Sequence, residues 1–241
     1  MFTDNKAQKE DKYDDCLVAF IDILGFKNIV QQSKSDSEYF KQVLTALKDI
    51  EHVVNHNQEK IQNEKSQVQM TQFSDSLVIS RPNTRESLFP MIMNLNFVQK
   101  ILAKKGIMIR GGLTSGPLYH RGAVAFGPAF IRAYELESNI ALYPRIIVDP
   151  SLLGESPNLD ANAEVVDNMH IHIMKMSTLK QDSDRYYFIN FLGDHFSDLD
   201  DAEKLEEVIH QQLSQLTGND DRIIRVRHKL EWMLNYINSV K

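Results

Sequence analysis

The feature that most constrains the fold of this chain is a short apolar run that ends on a carboxylate. Residues 16–22, CLVAFID, are almost continuously hydrophobic, which is typical of a strand buried in the centre of a sheet. Asp22 ends the run and is followed by Ile-Leu-Gly-Phe. Because a lone buried carboxylate is costly to desolvate, Asp22 requires a cation or a hydrogen-bonded turn beside it.

Hydrophobic periodicity in the rest of the chain predicts alternating helices and strands. Apolar residues recur at steps of three and four over 36–55 and 86–104, which predicts helices, whereas 67–80 indicates a β-hairpin with Ser-Asp-Ser at its turn. Further strands or extended segments are predicted at 106–116, 118–127, 145–149, 164–176 and 184–192, and a further helix at 128–138. This order predicts an α/β (α+β) domain of the ferredoxin-like βαββαβ kind, with a mixed sheet covered on one face.

The length of 241 residues suits one large domain, or one domain with an appendage. We expect a flexible N-terminal arm over 1–14, a main α/β domain over 15–195 and a C-terminal helical extension over 196–241. The extension contains two predicted helices, at 199–216 and from about residue 221. The apolar stripe of the second is expected to pack on the core or on a partner copy.

Composition excludes several classes of function. The net charge of −6 and the pI near 5.8 argue against general nucleic-acid binding. No apolar run approaches the roughly 18 residues of a spanning helix, so no membrane insertion is expected. Cys16 is the only cysteine, which rules out an internal disulfide and fits a cytosolic, cytoplasmic protein.

Two aspartates are candidates for one site. Asp22 ends the first predicted strand and Asp75 lies at the predicted hairpin turn. If that hairpin lies beside the first strand, both carboxylates point out of the same end of the sheet. Oxygen ligands of this kind suit Mg²⁺ or Mn²⁺, and two ions about 3.5–4 Å apart are typical of phosphoryl-transfer sites. The alternative is that each aspartate is an ordinary turn or helix-capping residue.

Three segments, in this order, carry a resemblance to a known family. They are FIDILGF (20–26), FSDSLV (73–78) and the stretch from Ile109 to Ser138, IRGGLTSGPLYHRGAVAFGPAFIRAYELES. Together they resemble the class III nucleotidyl cyclase domain over residues 16–150. That family has Phe-x-Asp-Ile-x-Gly-Phe, an aspartate hairpin, Arg-x-Gly-x-x-x-Gly, and a helix that ends near Leu-Glu.

The resemblance implies roles for individual residues. Asp22 and Asp75 would bind two Mn²⁺ or Mg²⁺ ions, and Ile23 would add its backbone carbonyl. Gly25 and Phe26 would form the turn that opens the first helix, where backbone N–H groups can bind phosphates. Arg110 matches the arginine of the fourth strand, with a surface salt bridge as the alternative.

The purine-reading half of the family's site is not matched. Thr71 and Val124 stand where purine cyclases of this family place charged base readers. The asparagine and arginine that hold the ribose and the transition state are replaced by Ile131 and Glu135.

Two neighbouring residues are candidates to complete this half of the site. Arg132 is a candidate substitute cation, with a solvated surface arginine as the alternative. Tyr134 is a candidate to stack on the base, although an aromatic residue on a helix more often belongs to a core.

The chain also resembles the bacterial Pycsar antiphage cyclases. The resemblance lies in FGPAF…AYELE, over 126–137, and in W…NYIN, which belongs to the last predicted helix. This implies a homodimer with its sites at the interface. It also implies conversion of UTP or CTP, UTP favoured, to a 3′,5′-cyclic nucleotide and pyrophosphate, with the product sensed by a downstream antiphage effector. Two alternatives remain open: an adenylate or guanylate cyclase with an unusual base pocket, and a catalytically degenerate nucleotide-binding or dimerisation module.

Overall fold

The computed structural model of the chain describes residues 11–59, 68–84, 86–154, 175, 178–193 and 199–241. The first ten residues of the predicted arm and the predicted strand at 164–176, except Lys175, lie outside the described residues. Residues 11–13 precede the first strand, where Tyr13 packs edge-on against Phe126 at a ring-centroid distance of 5.7 Å.

The described strands and helices follow the predicted order. The strands are β1 Asp14–Ile23, β2 Gln69–Phe73, β3 Ser76–Pro82, β4 Ile109–Arg121, β5 Val124–Phe126, β6 Ile146–Val148, β7 Leu179–Gln181 and β8 Tyr187–Ile189. The helices are α1 Phe26–Ser33, α2 Ser37–Glu59, α3 Leu88–Ala103, α4 Pro128–Glu135, α5 Leu199–Gln215 and α6 Asp221–Asn238. A π-helical turn, Leu136–Ile140, continues α4, and a short 3₁₀ turn, Pro150–Leu153, follows β6.

The topology of the sheet confirms the predicted fold class. Its strands lie in the order β2-β3-β1-β4-β6-β8-β7, and β5 pairs separately with β4. The first four strands in this order, β2, β3, β1 and β4, pair antiparallel with one another. With helices in the two crossovers, this is the ferredoxin-like arrangement. Because β6 then pairs parallel to β4, the sheet is mixed, as predicted.

Helices cover both faces of the sheet, so the expectation of a sheet covered on one face is wrong. Helices α2 and α3 pack on one face against alternate residues of β1 such as Leu17, Ala19 and Ile21. On the other face, α4 packs against Val18 and Phe20, and the C-terminal helices pack around β6 and β8. The helices of this second layer were predicted but their place was not, because an apolar stripe on a helix does not identify the surface that it covers.

Some boundaries differ from the predicted ones for local reasons. The chain turns at Gly25, whose φ of 73° is left-handed, and α1 begins at once, whereas periodicity predicted only one helix over 36–55. A separate helix follows because the Asp36 carboxylate accepts hydrogen bonds from the backbone N–H groups of Glu38 and Tyr39. Strand β4 runs on to Arg121, through the first four residues of the segment predicted at 118–127, and β5 forms near the end of that segment.

The last helix is fixed to the sheet by polar as well as apolar contacts. Leu230, Met233 and Ile237 are buried in the core, as the apolar stripe predicted. The Trp232 indole N–H donates to the Asp182 carboxylate at 2.9 Å, and the Tyr236 hydroxyl donates to Asn190 at 2.8 Å. Within the ranges given above, no helix combines the length and apolarity needed to cross a bilayer.

Candidate active site

The end of β1 brings the two predicted metal aspartates to neighbouring positions. Asp22 lies in register between Ser76 at the start of β3 and Arg110 near the start of β4. The Ile23 N–H donates to the backbone carbonyl of Asp75 at 2.9 Å, so the hairpin turn lies directly beside the end of the strand. The structure therefore brings Asp22, Ile23 and Asp75 together.

The side chains of Asp22 and Arg110 lie on the α4 side of the sheet. Phe20, two residues before Asp22 and hence on the same face, contacts the rings of Phe130 and Tyr134 in α4. The Arg110 Nε donates to Asp22 Oδ2 at 3.3 Å, a long hydrogen bond. Arg110 is thus adjacent to the candidate metal ligands.

Electrostatics show that Asp22 is incompletely neutralised. Burial raises the pKa of Asp22 above its usual value, and the nearby Asp75 raises it further. The charge of Arg110 and its hydrogen bond act in the opposite direction, as does the charge of Lys229 in α6, without cancelling the rise. A further cation at this point would therefore stabilise the ionised carboxylate.

A third acidic residue, Glu137, lies beside Arg110 and within electrostatic range of Asp22, and it was not among the site residues predicted from the sequence. Its side chain is buried, and its Oε1 lies 2.6 Å from Arg110 Nη2, while its Oε2 accepts a hydrogen bond from Ser138 at 2.8 Å. Burial raises the pKa of Glu137. The only signal in the sequence is the Leu-Glu pair at 136–137 that ends the third segment of the resemblance.

Gly112 allows the π-helical turn that carries Glu137 to approach the sheet. A Cβ at this position would lie 2.5 Å from the Ala133 carbonyl oxygen and 2.5 Å from the Leu136 Cβ. Only glycine therefore lets α4 and Leu136 pack this closely on β4. Residues 110 and 112 lie on the same face of β4, because successive side chains of a strand alternate between its faces. The Arg-x-Gly motif therefore places Arg110 beside the point where α4 contacts the sheet.

The residues beside Asp22 suit a divalent cation that also has a ligand from its substrate. Two carboxylates and the backbone carbonyl of Ile23 are hard oxygen donors, which Mg²⁺ and Mn²⁺ prefer. No group of three or more His, Cys, Asp or Glu residues that could hold a metal occurs in the described part of the chain. Such a sparse set fits ions that are bound by one or two carboxylates together with phosphate oxygens.

Gly25 and Phe26 lie next to this pair of carboxylates. Gly25 is the left-handed residue before α1, and its carbonyl accepts hydrogen bonds from the N–H groups of Asn28 and Ile29. Phe26 begins the helix and packs its partly buried ring against the core. The positive end of the α1 dipole is therefore close to the candidate metal site.

Arg132 lies elsewhere and has a different partner. Its Nε donates to Asp149 Oδ2 at 2.7 Å, and the same oxygen accepts from the Thr114 hydroxyl at 2.9 Å. Thr114 is four residues from Arg110 on β4, which corresponds to about 13 Å along the strand. Within one chain Arg132 is not brought to Asp22, and its catalytic role stays a prediction.

Thr71, one of the two base-reading positions, belongs to a buried hydrogen-bond network. The Thr71 hydroxyl donates to the Gly122 carbonyl at 2.6 Å and lies 2.8 Å from His120 Nε2, and the Ser80 hydroxyl lies 2.7 Å from His120 Nδ1. Since Thr71 has one proton to donate, His120 Nε2–H donates to Thr71, and Nδ1 accepts from Ser80. Burial and the neighbouring charge of Arg121 lower the pKa of His120 to about 4, which keeps the ring neutral.

The remaining predicted substrate residues, Val124 and Tyr134, lie on β5 and α4. Val124 lies two residues after Gly122, the partner of Thr71, and its side chain is exposed. Tyr134 and Ile131 are exposed on α4, which contacts β5. Thr71 and Val124 thus lie at the hairpin, whereas Tyr134 lies against Phe20, two residues from Asp22.

Comparison with known proteins gives only a weak likeness. No family model matches the chain, and no curated protein matches it. A solved structure, described as that of a bacterial light-regulated adenylyl cyclase, is similar at 11% sequence identity and a TM-score of 0.45. The match covers 83% of this chain and spans 59% of that one, and a likeness this weak carries no argument about function.

Proposed function

We propose that this chain is a nucleotidyl cyclase that converts UTP or CTP to the 3′,5′-cyclic nucleotide and pyrophosphate. The observation that carries this proposal is the position of Asp22 beside Asp75 at the end of the central strand, with Arg110 in contact with Asp22. The raised pKa of Asp22, caused first by burial, supports a site that gains stability from a cation.

In the proposed reaction, the ribose 3′ oxygen forms a bond to the α-phosphorus. The bond from that phosphorus to its bridging oxygen breaks, pyrophosphate leaves, and the hydroxyl proton passes to solvent. A divalent ion held by Asp22, Asp75 and the Ile23 carbonyl would lower the pKa of the attacking hydroxyl and neutralise the leaving group. Arg110, retained by Glu137, is positioned to donate to phosphate oxygens.

A homodimer is part of the proposal, because within one chain Arg132 is bonded to Asp149 and not brought to Asp22. A head-to-tail pair would bring the hairpin of one copy to the metal residues of the other. Large apolar side chains of β2, β5 and α4 are 45–58% exposed and would suit such an interface; they are Phe73, Val124, Phe126, Ile131 and Tyr134. Arg132 would act in catalysis only through this arrangement, as a residue of the partner copy.

The preference for a pyrimidine rests on what Thr71 and Val124 can offer a base. The Thr71 hydroxyl donates its proton within the protein, and Val124 has no polar atom beyond its backbone. Neither side chain supplies the charge that the resemblance associates with purine readers. As the resemblance implies, the cyclic product would serve as a second messenger for an antiphage effector.

The test is to incubate the purified full chain with each of ATP, GTP, UTP and CTP in Mn²⁺ and to identify the products by mass. We expect cyclic UMP or cyclic CMP. Cyclic AMP or cyclic GMP as the main product would contradict the pyrimidine assignment, and the absence of every cyclic product would contradict the cyclase assignment.

Matched variants attribute the activity to this site. Asp75→Ala is expected to abolish turnover with little loss of stability, because Asp75 lies in a surface turn. Asp49→Ala, which removes an exposed aspartate that pairs with Lys105, serves as the control and should retain turnover. Turnover by Asp75→Ala at the wild-type rate would remove Asp75 from the proposed site.

A second candidate, a non-catalytic nucleotide-binding module, is favoured by one observation. Arg132 is bound to Asp149, and Ile131 and Glu135 stand where the resemblance expects the residues that hold the transition state. The assay above separates the two candidates, because such a module would bind a nucleotide without forming a cyclic product.

A further inference from the structure

The C-terminal helix brings a lysine to the candidate site. Leu230 and Met233 of α6 are buried in the same apolar cluster as Leu24, which follows Asp22 by two residues. At the start of the same helix, Arg222 Nη2 donates to Asn28 Oδ1 of α1 at 2.7 Å. Helix α6 therefore lies against the segment that joins β1 to α1.

Three basic residues of α6 lie on one side of that helix. Arg222, Arg225 and Lys229 occur at steps of three and four, so their side chains share a face. Arg222 contacts α1, and Lys229, which is half-buried, lies within electrostatic range of Asp22, Glu137 and Arg110. The row of cations thus leads from the N-terminal end of α1 to the carboxylates.

A ligand would change the charge balance at this point. Lys229 lies within electrostatic range of Arg110 and Arg225, beside the carboxylates of Asp22, Asp75 and Glu137. Burial lowers the pKa of Lys229, and the nearby charge of Arg110 lowers it further, while Asp22 and Glu137 act in the opposite direction. A divalent cation on the aspartates would make the cluster positive and leave Lys229 able to bind an anion.

We propose that Lys229 of the C-terminal helix contacts the polyphosphate of the substrate, so that residues 221–238 form one wall of the phosphate-binding site. This inference rests on the proposed function for its substrate class. In the metal-bound state Glu137 retains Arg110 through Nη2, because the 3.3 Å contact of Arg110 with Asp22 is the weaker one. Arg110 and Lys229 then bracket the same phosphate oxygens from β4 and from α6.

The experiment measures binding of inorganic tripolyphosphate with Mg²⁺ to the full chain by calorimetry, and separately binding of Mn²⁺ alone. We expect Lys229→Met to weaken tripolyphosphate binding at least tenfold, because a charge-assisted contact is lost. Binding of Mn²⁺ alone should stay unchanged or become tighter, since a neighbouring cation is removed. Loss of a purely structural lysine would weaken both affinities or neither, whereas loss of an anion-binding lysine weakens only the binding of tripolyphosphate.

Two further variants complete the test. Lys229→Arg should retain most of the tripolyphosphate affinity, and Arg227→Met, which removes a charge from the same helix at a residue bonded to the Gly218 carbonyl, should retain all of it. Equal tripolyphosphate affinity for Lys229→Met and the wild type would overturn the inference, as would a wild type that does not bind tripolyphosphate. A wild type that binds tripolyphosphate but forms no cyclic nucleotide would instead refute the proposed function and leave the anion site standing.

Discussion

Two arginine–aspartate pairs on the same face of the sheet differ in how completely the carboxylate is satisfied. Asp149 accepts hydrogen bonds from Arg132 at 2.7 Å, from the Thr114 hydroxyl at 2.9 Å and from the Ser151 N–H at 3.2 Å. Asp22 has a contact with Arg110 at 3.3 Å and a like charge, Asp75, nearby. Burial acts to raise the pKa of both carboxyl groups. Hydrogen bonds reverse the effect at Asp149, whose pKa is lowered, but not at Asp22, whose pKa is raised.

The difference shows that an arginine beside an aspartate does not by itself define a structural pair. The carboxylate of Asp149 already has partners on both oxygens, and its side chain is 7% exposed. That of Asp22 is 21% exposed and gains little from its arginine. We infer that the Asp149 pair holds α4 to the sheet and that the Asp22 pair is the one available to a ligand.

The largest effect is expected from a substitution of Asp22, the carboxylate with the weaker contact to its arginine. Asp22→Asn should lower cyclase turnover about 1,000-fold, a loss of about 4 kcal/mol in transition-state stabilisation, because a proposed metal ligand loses its charge. Steady-state assays with UTP and CTP in Mn²⁺ would measure it. Turnover within about tenfold of the wild type would show that the reaction does not depend on this carboxylate.

The next largest effect is a loss of stability in acid that depends on His120, a buried side chain that makes its hydrogen bonds in the neutral form. The pKa of His120 is lowered to about 4 by burial first and by Arg121 second, so the unfolded chain binds more protons than the native one between pH 6.5 and 4. The contribution of His120 to stability is therefore complete above pH 6.5 and is lost as the pH falls towards 4. We expect a loss of up to about 3 kcal/mol. Urea unfolding between pH 7 and 4 would measure it, and His120→Gln should flatten the curve.

A somewhat smaller loss of stability is expected when the Arg132–Asp149 pair is broken. Asp149→Asn should destabilise the fold by about 2 kcal/mol, the scale of hydrogen bonds to a charged group. Because the folded pKa of Asp149 is depressed, this stability is present above the unfolded value of about 3.9 and is lost as the pH falls through the lower folded value. Denaturant unfolding at pH 7 and pH 3 should show the difference between variant and wild type shrinking in acid. A constant difference would assign the loss to packing.

The smallest effect is a gain in stability when Asp22 loses its charge. Since the pKa of Asp22 is raised, stability falls as the pH rises through that folded pKa, and the ionised carboxylate is a cost at neutral pH. Without metal, Asp22→Asn should therefore melt about 1–3 °C above the wild type at pH 7. Thermal unfolding in a chelator would detect this, and a lower melting temperature would place Asp22 with Asp149 among the stabilising pairs.

Local patterns in the sequence predicted the order of the helices and strands, because the formation of each helix or strand depends on residues close together in the chain. The run at 16–22 became β1, and the Ser-Asp-Ser segment became the turn between β2 and β3. Partners far apart in the chain were not predictable in this way. Asp149 lies 17 residues from Arg132, and Glu137 and Lys229 reach Arg110 from two different helices.

The position of Asp22 beside Asp75 followed from the hairpin together with the predicted sheet order. The network of Thr71, His120 and Ser80 did not, because it requires the β4–β5 hairpin to contact β2 and β3. Hydrophobic period identifies strands and the faces they bury, whereas contacts such as these depend on how β4 continues past Gly116. That course is set by packing rather than by local preference.

The central claim is that Asp22 and Asp75 together hold a divalent cation, and Mn²⁺ binding tests it most directly. Electron paramagnetic resonance of free Mn²⁺, in the presence of tripolyphosphate, gives the number and affinity of bound ions for the wild type, Asp22→Asn, Asp75→Ala and Asp149→Asn. We expect Asp22→Asn and Asp75→Ala each to weaken Mn²⁺ binding at least tenfold and Asp149→Asn to leave it unchanged. Equal Mn²⁺ binding by all four proteins would contradict it.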